Sequence, residues 1–217
     1  MTISMGVKAQ LRIGITSGAT YNLYTIENHY MNDWHYEGAW GGTAGIMTQY
    51  SLNDWFGLRA DLNWTMKNHR QYRTGLLSKT DYRTVNHYFQ LPIVASFSFG
   101  GERIKGFLNI GGYGGYWQSC WLKGTIASNT SYPEAFRGSY VTLDYARCDF
   151  VEERDNRFDC GFVGGVGIDW LFSKHWGIQF ETRCYYSTIS TQKDYMRICD
   201  PKYNTTFAFQ FATYYLF

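Results

Sequence analysis

The 217-residue chain carries 20 Lys and Arg against 18 Asp and Glu, a formal net charge of +2, which argues against an electrostatic nucleic-acid binder with its concentrated basic face. Aromatic residues make up 19 % and charged residues 18 %, with 23 Gly against 3 Pro, a mixture that favours strands and tight turns over helices. No apolar run approaches the ~18 residues of a spanning helix, so a helical membrane protein is excluded. A membrane β-barrel is not, because its apolar residues alternate with polar ones and average out.

The chain opens on Met5-Gly-Val-Lys-Ala-Gln10, where Val7-Lys-Ala9 resembles an A-x-A-type cleavage site. Residues 1–9 are expected to be the remnant of a leader, and residues 10–217 one domain. Period-2 alternation then begins and recurs along the whole length. The first segment sets Leu11, Ile13, Ile15, Ala19, Tyr21 and Leu23 against Arg12, Gly14, Thr16, Thr20 and Asn22. The second sets Trp40, Ala44, Ile46, Tyr50 and Leu52 against Gly41, Thr43, Gly45 and Gln49. In the third, Phe56, Leu58, Ala60, Leu62, Trp64 and Met66 oppose Gly57, Arg59, Asp61, Asn63, Thr65 and Lys67. A strand places all of those charges on one face, whereas a helix would scatter them. The fourth runs from Val85 to Phe99; its Pro92 removes a ladder hydrogen bond, which predicts locally irregular pairing. The fifth, Gly106 to Lys123, leaves two facings open, one with Leu108, Ile110 and Tyr116 together and one with Phe107, Tyr113 and Trp117 together. The sixth (158–170), seventh (176–186) and eighth (207–217) again separate aromatics from Asp159, Asp169, Glu181 and Arg183.

The connections alternate as well. Those after segments two, four and six are short, at Asn53-Asp54, Gly100–Lys105 and Ser173–His175, and the other four are long, one of them spanning 124–157. Short turns at one end and long loops at the other predict an all-β, eight-stranded antiparallel up-and-down transmembrane barrel with four long extracellular loops. In hydrocarbon every backbone group needs an internal partner, so such a sheet must close. A charge facing the bilayer centre costs ~2–4 kcal/mol, so the charged faces must point inward. Tyr50, Trp55, Phe97, Phe99, Trp170, Trp176, Tyr215 and Phe217 cluster beside the short turns, where an aromatic girdle belongs.

The motifs His87-Tyr-Phe-Gln-Leu-Pro-Ile93, Leu108-Asn-Ile-Gly-Gly-Tyr-Gly-Gly-Tyr116 and Phe158-Asp-Cys-Gly-Phe-Val-Gly-Gly-Val-Gly-Ile168, with the terminal Phe217, give a chain that resembles the PorT-like outer-membrane β-barrel family of Bacteroidota over residues 10–217. The resemblance implies an eight-stranded barrel delivered through the periplasm and folded by the outer-membrane assembly machinery, and the barrel is expected in a Gram-negative outer membrane with both termini periplasmic. It does not imply one activity: some relatives serve type IX secretion, and no functional residue carries over.

Candidate sites follow from the barrel. Eight strands enclose an interior that side chains fill, so Arg59, Asp61, Asp169, Glu181 and Arg183, joined by Arg12, Lys67 and Asp159, are expected to form a paired polar network rather than an ion path. Gly161–Gly167 has the look of a phosphate-binding loop but precedes a strand, so its glycines are read as relief of crowding. The long loops hold aromatics suited to anchoring a partner, among them Trp34, Tyr36, Tyr132, Phe136 and Tyr140. Cys120, Cys148, Cys160 and Cys199 fall at the same end, where an oxidising compartment allows disulfides; four cysteines have three pairings, which spacing does not separate. Histidines 29, 35, 69 and 87 lie near the loops, yet no spacing with Ser and carboxylate singles out a catalytic set. No catalytic, cofactor or metal site is assigned. The reading is a non-enzymatic, monomeric scaffold in contact with outer-membrane lipid, and with other envelope proteins through its loops or turns, without nucleic acid. A surface enzyme acting on lipid or peptide and a soluble lipocalin-like calyx for a small apolar ligand are the alternatives.

Overall fold

In the computed structural model, residues 10–26, 33–75, 78–127, 140–193 and 201–217 are described; residues 1–9, where the leader remnant is expected, lie outside them. The strands are β1 (Gln10–Ile26), β2 (Trp34–Ser51), β3 (Phe56–Met66), β4 (His69–Arg73), β5 (Asp81–Gly100), β6 (Ile104–Ala127), β7 (Tyr140–Arg147), β8 (Phe158–Leu171), β9 (Trp176–Ser187) and β10 (Lys202–Leu216). Every neighbouring pair is antiparallel. β3 and β4 continue one another between β2 and β5, so the ring runs β1, β2, β3/β4, β5, β6, β8, β9, β10 and back to β1: eight strands. The closing seam pairs Arg12 with Leu216 through to Ile26 with Lys202. β7 stands outside the ring and pairs with the far end of β6.

Along each strand, burial follows the alternation. Ile15, Ile46, Leu62, Ile93, Ile110, Phe162, Ile168 and Phe180 point outward and are more than half exposed, while Thr16, Asn63, Arg59, Asp61, Glu181, Arg183 and Gln210 are buried inside. Apolar outside and charged inside is the inverse of a ligand-carrying calyx, so that alternative is corrected: a soluble calyx would need the opposite faces turned inward. The fifth segment is settled by Asn109, whose Nδ2 donates to Glu181 Oε1 at 2.7 Å. Phe107 and Tyr113 therefore face the interior, and Ile110 and Tyr116 face outward. Pro92 disturbs its neighbours as expected: the β3–β5 ladder lapses between the pairs Ala60–Ile93 and Asn63–Gln90, with register unchanged. The one shift between β5 and β6 lies elsewhere, at His87/Tyr88, where Gln118 is skipped.

A second aromatic ring, not picked out from the sequence, sits opposite the first. Tyr21 pairs with Trp40, Trp64 with Phe89, Phe89 with Tyr116 and Tyr116 with Phe158. On β2 this ring lies ten residues from Tyr50. At a ~3.3 Å rise and a ~40° tilt, that separation is about 25 Å, the height of the apolar band of an outer-membrane barrel.

The wall does not stop at this ring. β2 and β5 run past it, with β4 between them, and β6 carries β7, so the long connections are partly strand. Trp34, Tyr36 and Tyr140, expected in loops, thus lie on β2 and β7. The reason is backbone hydrogen bonding: Tyr36 opposite Gln71 and Trp34 opposite Arg73 extend the same ladder.

Glycines make room for the buried charges. A Cβ on Gly165 would sit 2.5 Å from Glu181 Oε1 and 2.8 Å from Arg183 Cγ, and one on Gly167 would run into the Phe107 ring. Gly161–Gly167 lies within β8, so the clearance reading replaces the phosphate-loop likeness. We expect Gly165→Ala to destabilise the barrel by about 1–3 kcal/mol, as overpacking of a filled interior does, read as a lower urea midpoint of the refolded protein in detergent.

Candidate functional site

The interior is organised in three tiers. Nearest the short turns, Arg12 Nη1 donates to Asp169 Oδ2 at 2.5 Å, Tyr214 donates its hydroxyl proton to Asp169 Oδ1 at 2.6 Å, and the Arg12 guanidinium lies over the Tyr214 ring. The middle tier is a ring of four charges. Arg59 Nε reaches Asp61 Oδ1 at 2.8 Å and its Nη1 reaches Glu181 Oε2 at 3.1 Å. Arg183 closes the ring, with Nη1 at 2.6 Å from Asp61 Oδ2 and Nε at 2.6 Å from Glu181 Oε1. Gln179 accepts from Arg59, and Tyr185 from Arg183. In the third tier Lys67 Nζ donates to Asp159 Oδ2 at 2.6 Å, Ser187 donates to Asp159 Oδ1 at 2.6 Å, and Lys67 Nζ also lies over the rings of Tyr88 and Tyr113. In these tiers four cations meet four carboxylates. Taking any one of them into a narrow interior is costly unless paired, and removal of one partner strands the other. The five charged residues assigned to the lumen from sequence all lie in these tiers.

Above the third tier the wall borders a half-open pocket of about 190 Å³. Tyr24, His69, Tyr82, Tyr88, Trp117 and Phe150 supply its aromatic surface. His69 stacks on Tyr24 with ring centres 4.1 Å apart, and Tyr88 stacks on Trp117 at 5.8 Å. The cavity also meets the Cys120–Cys148 disulfide, which ties β6 to the chain just beyond β7 with Cα atoms 5.2 Å apart. Cys160 and Cys184 are free thiols, and Cys199 lies outside the described residues, as do Tyr132 and Phe136. Trp34 and Tyr36 stack near the cavity, with Trp34 edge-on to Tyr82 and Tyr36 beside Tyr24. Tyr140 lies apart from this group, under Lys79 Nζ.

On the outer side of the same wall Arg70 bonds Asp81 at 2.8 and 2.6 Å and Glu37 at 3.1 Å. The hydrogen bonds from Arg70 hold the Asp81 carboxyl below its ordinary range. His69 is opposite in character: burial, helped by the charge of Lys202, pushes its pKa down to about 3, so the ring is neutral. Its Nε2 lies 2.7 Å from Gln71 Nε2. His35 meets the Thr74 hydroxyl and His175 the carbonyl of Leu216. Among the described residues no histidine is hydrogen-bonded to a serine or a carboxylate, and no cluster of metal-ligating side chains occurs.

Three outcomes test this arrangement. Arg183→Met leaves Asp61 and Glu181 with Arg59 alone and should cost about 3–5 kcal/mol; Glu181→Gln added to it should cost less than the sum of the single losses, as urea unfolding in detergent would read. The double change Cys120→Ser/Cys148→Ser should leave the barrel folded but weaken the segment after β7 by about 3 kcal/mol, seen as faster proteolysis there. His69 binds a proton more readily unfolded than folded, so its contribution to stability falls as pH drops from about 6.5 toward 3. His69→Gln should flatten the pH dependence of the urea midpoint over the upper part of that window, before the carboxylates titrate.

Residues 8–192 match the family described as outer membrane protein beta-barrel domain. A comparison with curated protein sequences finds no match. Among solved structures the chain is similar to the outer membrane protein OprG from Pseudomonas aeruginosa, with 13 % identity and a TM-score of 0.56 over 97 % of each chain. It is also similar to the outer membrane protease OmpT from Escherichia coli, with 12 % identity and a TM-score of 0.53 over 100 % of this chain and 99 % of that one. At these identities the likeness is one of fold. Closed ring, outward apolar band and family match together identify the chain as a member of the outer membrane protein beta-barrel domain family.

Proposed function

We propose that this barrel is a monomeric, non-enzymatic scaffold of the outer membrane, its termini in the periplasm and its long connections outside, and that it serves as the partner-binding component of an envelope complex. The observation that carries this reading is the interior: three tiers of mutually neutralising charge fill it. A filled lumen leaves a barrel only its two ends with which to act. The end bearing β4, β7 and the aromatic cavity is the more elaborate, and binding residues concentrate on such connections when a rigid wall positions them. The resemblance to PorT-like barrels of Bacteroidota, some of which serve type IX secretion, points to a secretion or assembly complex. Among the described residues, acyl transfer draws no support from His35, His69 and His175, whose hydrogen-bond partners are amides, a threonine hydroxyl and a backbone carbonyl; His29 lies outside the described residues.

The reading is tested first in planar bilayers. The refolded protein should migrate faster unboiled than boiled on a gel and give no steady conductance. A sustained open channel would refute the filled lumen. Extraction of native membranes in gentle detergent should then recover other envelope proteins with the barrel, and deletion of β7 with its flanking chain should release them; recovery of the bare barrel alone would overturn the scaffold role.

A further inference from the structure

The outer wall beyond the second aromatic ring carries a one-sided patch of positive charge. Register sets Arg70 on β4 opposite Arg83 on β5, and Arg83 opposite Lys123 on β6; all three are exposed. Like charges directly opposite one another destabilise a sheet, so a bare row of three cations works against the fold. Arg70 is matched by Asp81 and Glu37, but among the described residues no carboxylate pairs with Arg83 or Lys123. Arg83 donates to the backbone carbonyl of Trp40, and Lys123 Nζ lies over the Tyr145 ring at 4.7 Å. Arg147, exposed on β7 opposite Trp121, and Arg157, just before β8, likewise have no carboxylate partner among the described residues. Arg157 donates to the carbonyls of Trp117 and Gln118 at 3.0 and 3.1 Å and lies 4.6 Å from the centre of the Tyr116 ring. Besides Asp81, the strands β4–β7 carry one carboxylate, Asp144, so four unmatched cations face a single anion. On β9, β10 and β1 the corresponding outward positions hold Tyr186, Thr205, Tyr203, Leu23 and Thr25, which confines the charge to one side of the barrel.

Depth and spacing narrow the partner. Trp40 and Tyr116 belong to the aromatic ring that ends the apolar band, and both face outward, 56 % and 47 % exposed. The guanidinium groups of Arg83 and Arg157 rest on these two residues, so their remaining N–H donors open where hydrocarbon gives way to headgroups. At that depth the first neighbour of a barrel is a lipid headgroup, rather than a nucleic acid or a soluble protein. Arginine presents a planar fork that matches phosphate oxygens, and lysine adds a compact charge. Tyr116 and Lys123 stand seven positions apart on β6, roughly 20 Å at ~3.3 Å per residue, which is more than a single phosphate bridges. We propose that this face of the barrel is a binding site for an outer-leaflet lipid whose headgroup carries two or more phosphates. The site rests on the reading that the long connections lie outside the cell.

The test titrates the full chain, refolded in detergent, with diphosphoryl lipid A and counts bound lipids by native mass spectrometry. Monophosphoryl lipid A and phosphatidylcholine serve as less charged probes. One diphosphoryl lipid should stay bound per barrel, more tightly than the monophosphoryl form, and phosphatidylcholine should not be retained. Arg83→Gln/Lys123→Gln and, separately, Arg157→Gln should keep the unboiled gel mobility while weakening the diphosphoryl lipid about fivefold for each charge removed. Arg103→Gln/Lys174→Gln, which removes two exposed cations at the short-turn end, should leave binding unchanged. Equal weakening by that control, equal affinity for the three lipids, or poly-glutamate binding as tightly as the diphosphoryl lipid would overturn the site. Orientation is read separately, with protease added to intact cells. Cleavage between β6 and β8 with no lipid retained would leave the outward reading standing and remove the site; lipid retained without cleavage would overturn the outer-leaflet assignment.

Discussion

The ring formed by Arg59, Asp61, Arg183 and Glu181 is the constraint to which the rest of the barrel conforms. Two guanidinium groups and two carboxylates meet inside the barrel, and each charge contacts both charges of opposite sign. That arrangement demands a small residue opposite it, which β8 supplies at Gly165. It also demands a fixed register, since a one-residue slip of β3 or β9 would send these charges into the outward face. The tiers above and below repeat the device with one salt bridge each, flanked by tyrosine hydroxyls. Charge pairing here is a requirement of burial, and the specificity of the register is its product.

The membrane band imposes the complementary condition. Outside, aliphatic and aromatic side chains alternate with the lumen residues over about ten positions per strand, and aromatic rings mark both limits. Hydrocarbon removes any alternative partner for the backbone, which is why the sheet closes β1 against β10 rather than leaving two edges. Beyond the second aromatic ring that pressure is relieved, and the wall becomes less regular: β3 gives way to β4 at Lys67-Asn68, β6 acquires β7 as a partner, and the register steps at His87/Tyr88.

Facing and strand order were legible in the sequence because a period of two sorts residues without knowledge of their neighbours. Arg59 and Asp61 declare their side by standing between Leu58, Ala60 and Leu62. The facing of β6 was not legible, because glycines at 111, 112, 114 and 115 dilute both faces; it is fixed by contacts inside the barrel, of Asn109 with Glu181 and of Tyr113 with Asp159. The pairing of Cys120 with Cys148 depended likewise on β7 folding back along β6, which no local pattern announces. Trp34 and Tyr36 looked like loop residues since their stretch lacks clean alternation, yet the ladder with β4 makes them part of the wall.

The seam between β1 and β10 has a consequence for biogenesis. Residues 202–216 of β10 supply one whole side of the closing ladder. Until that last strand arrives, β1 and β9 both present unsatisfied edges, each a template for pairing with another chain. The ring therefore cannot be completed progressively as the polypeptide emerges; it waits for its final segment, and during that interval the nearly finished sheet is at its most adhesive.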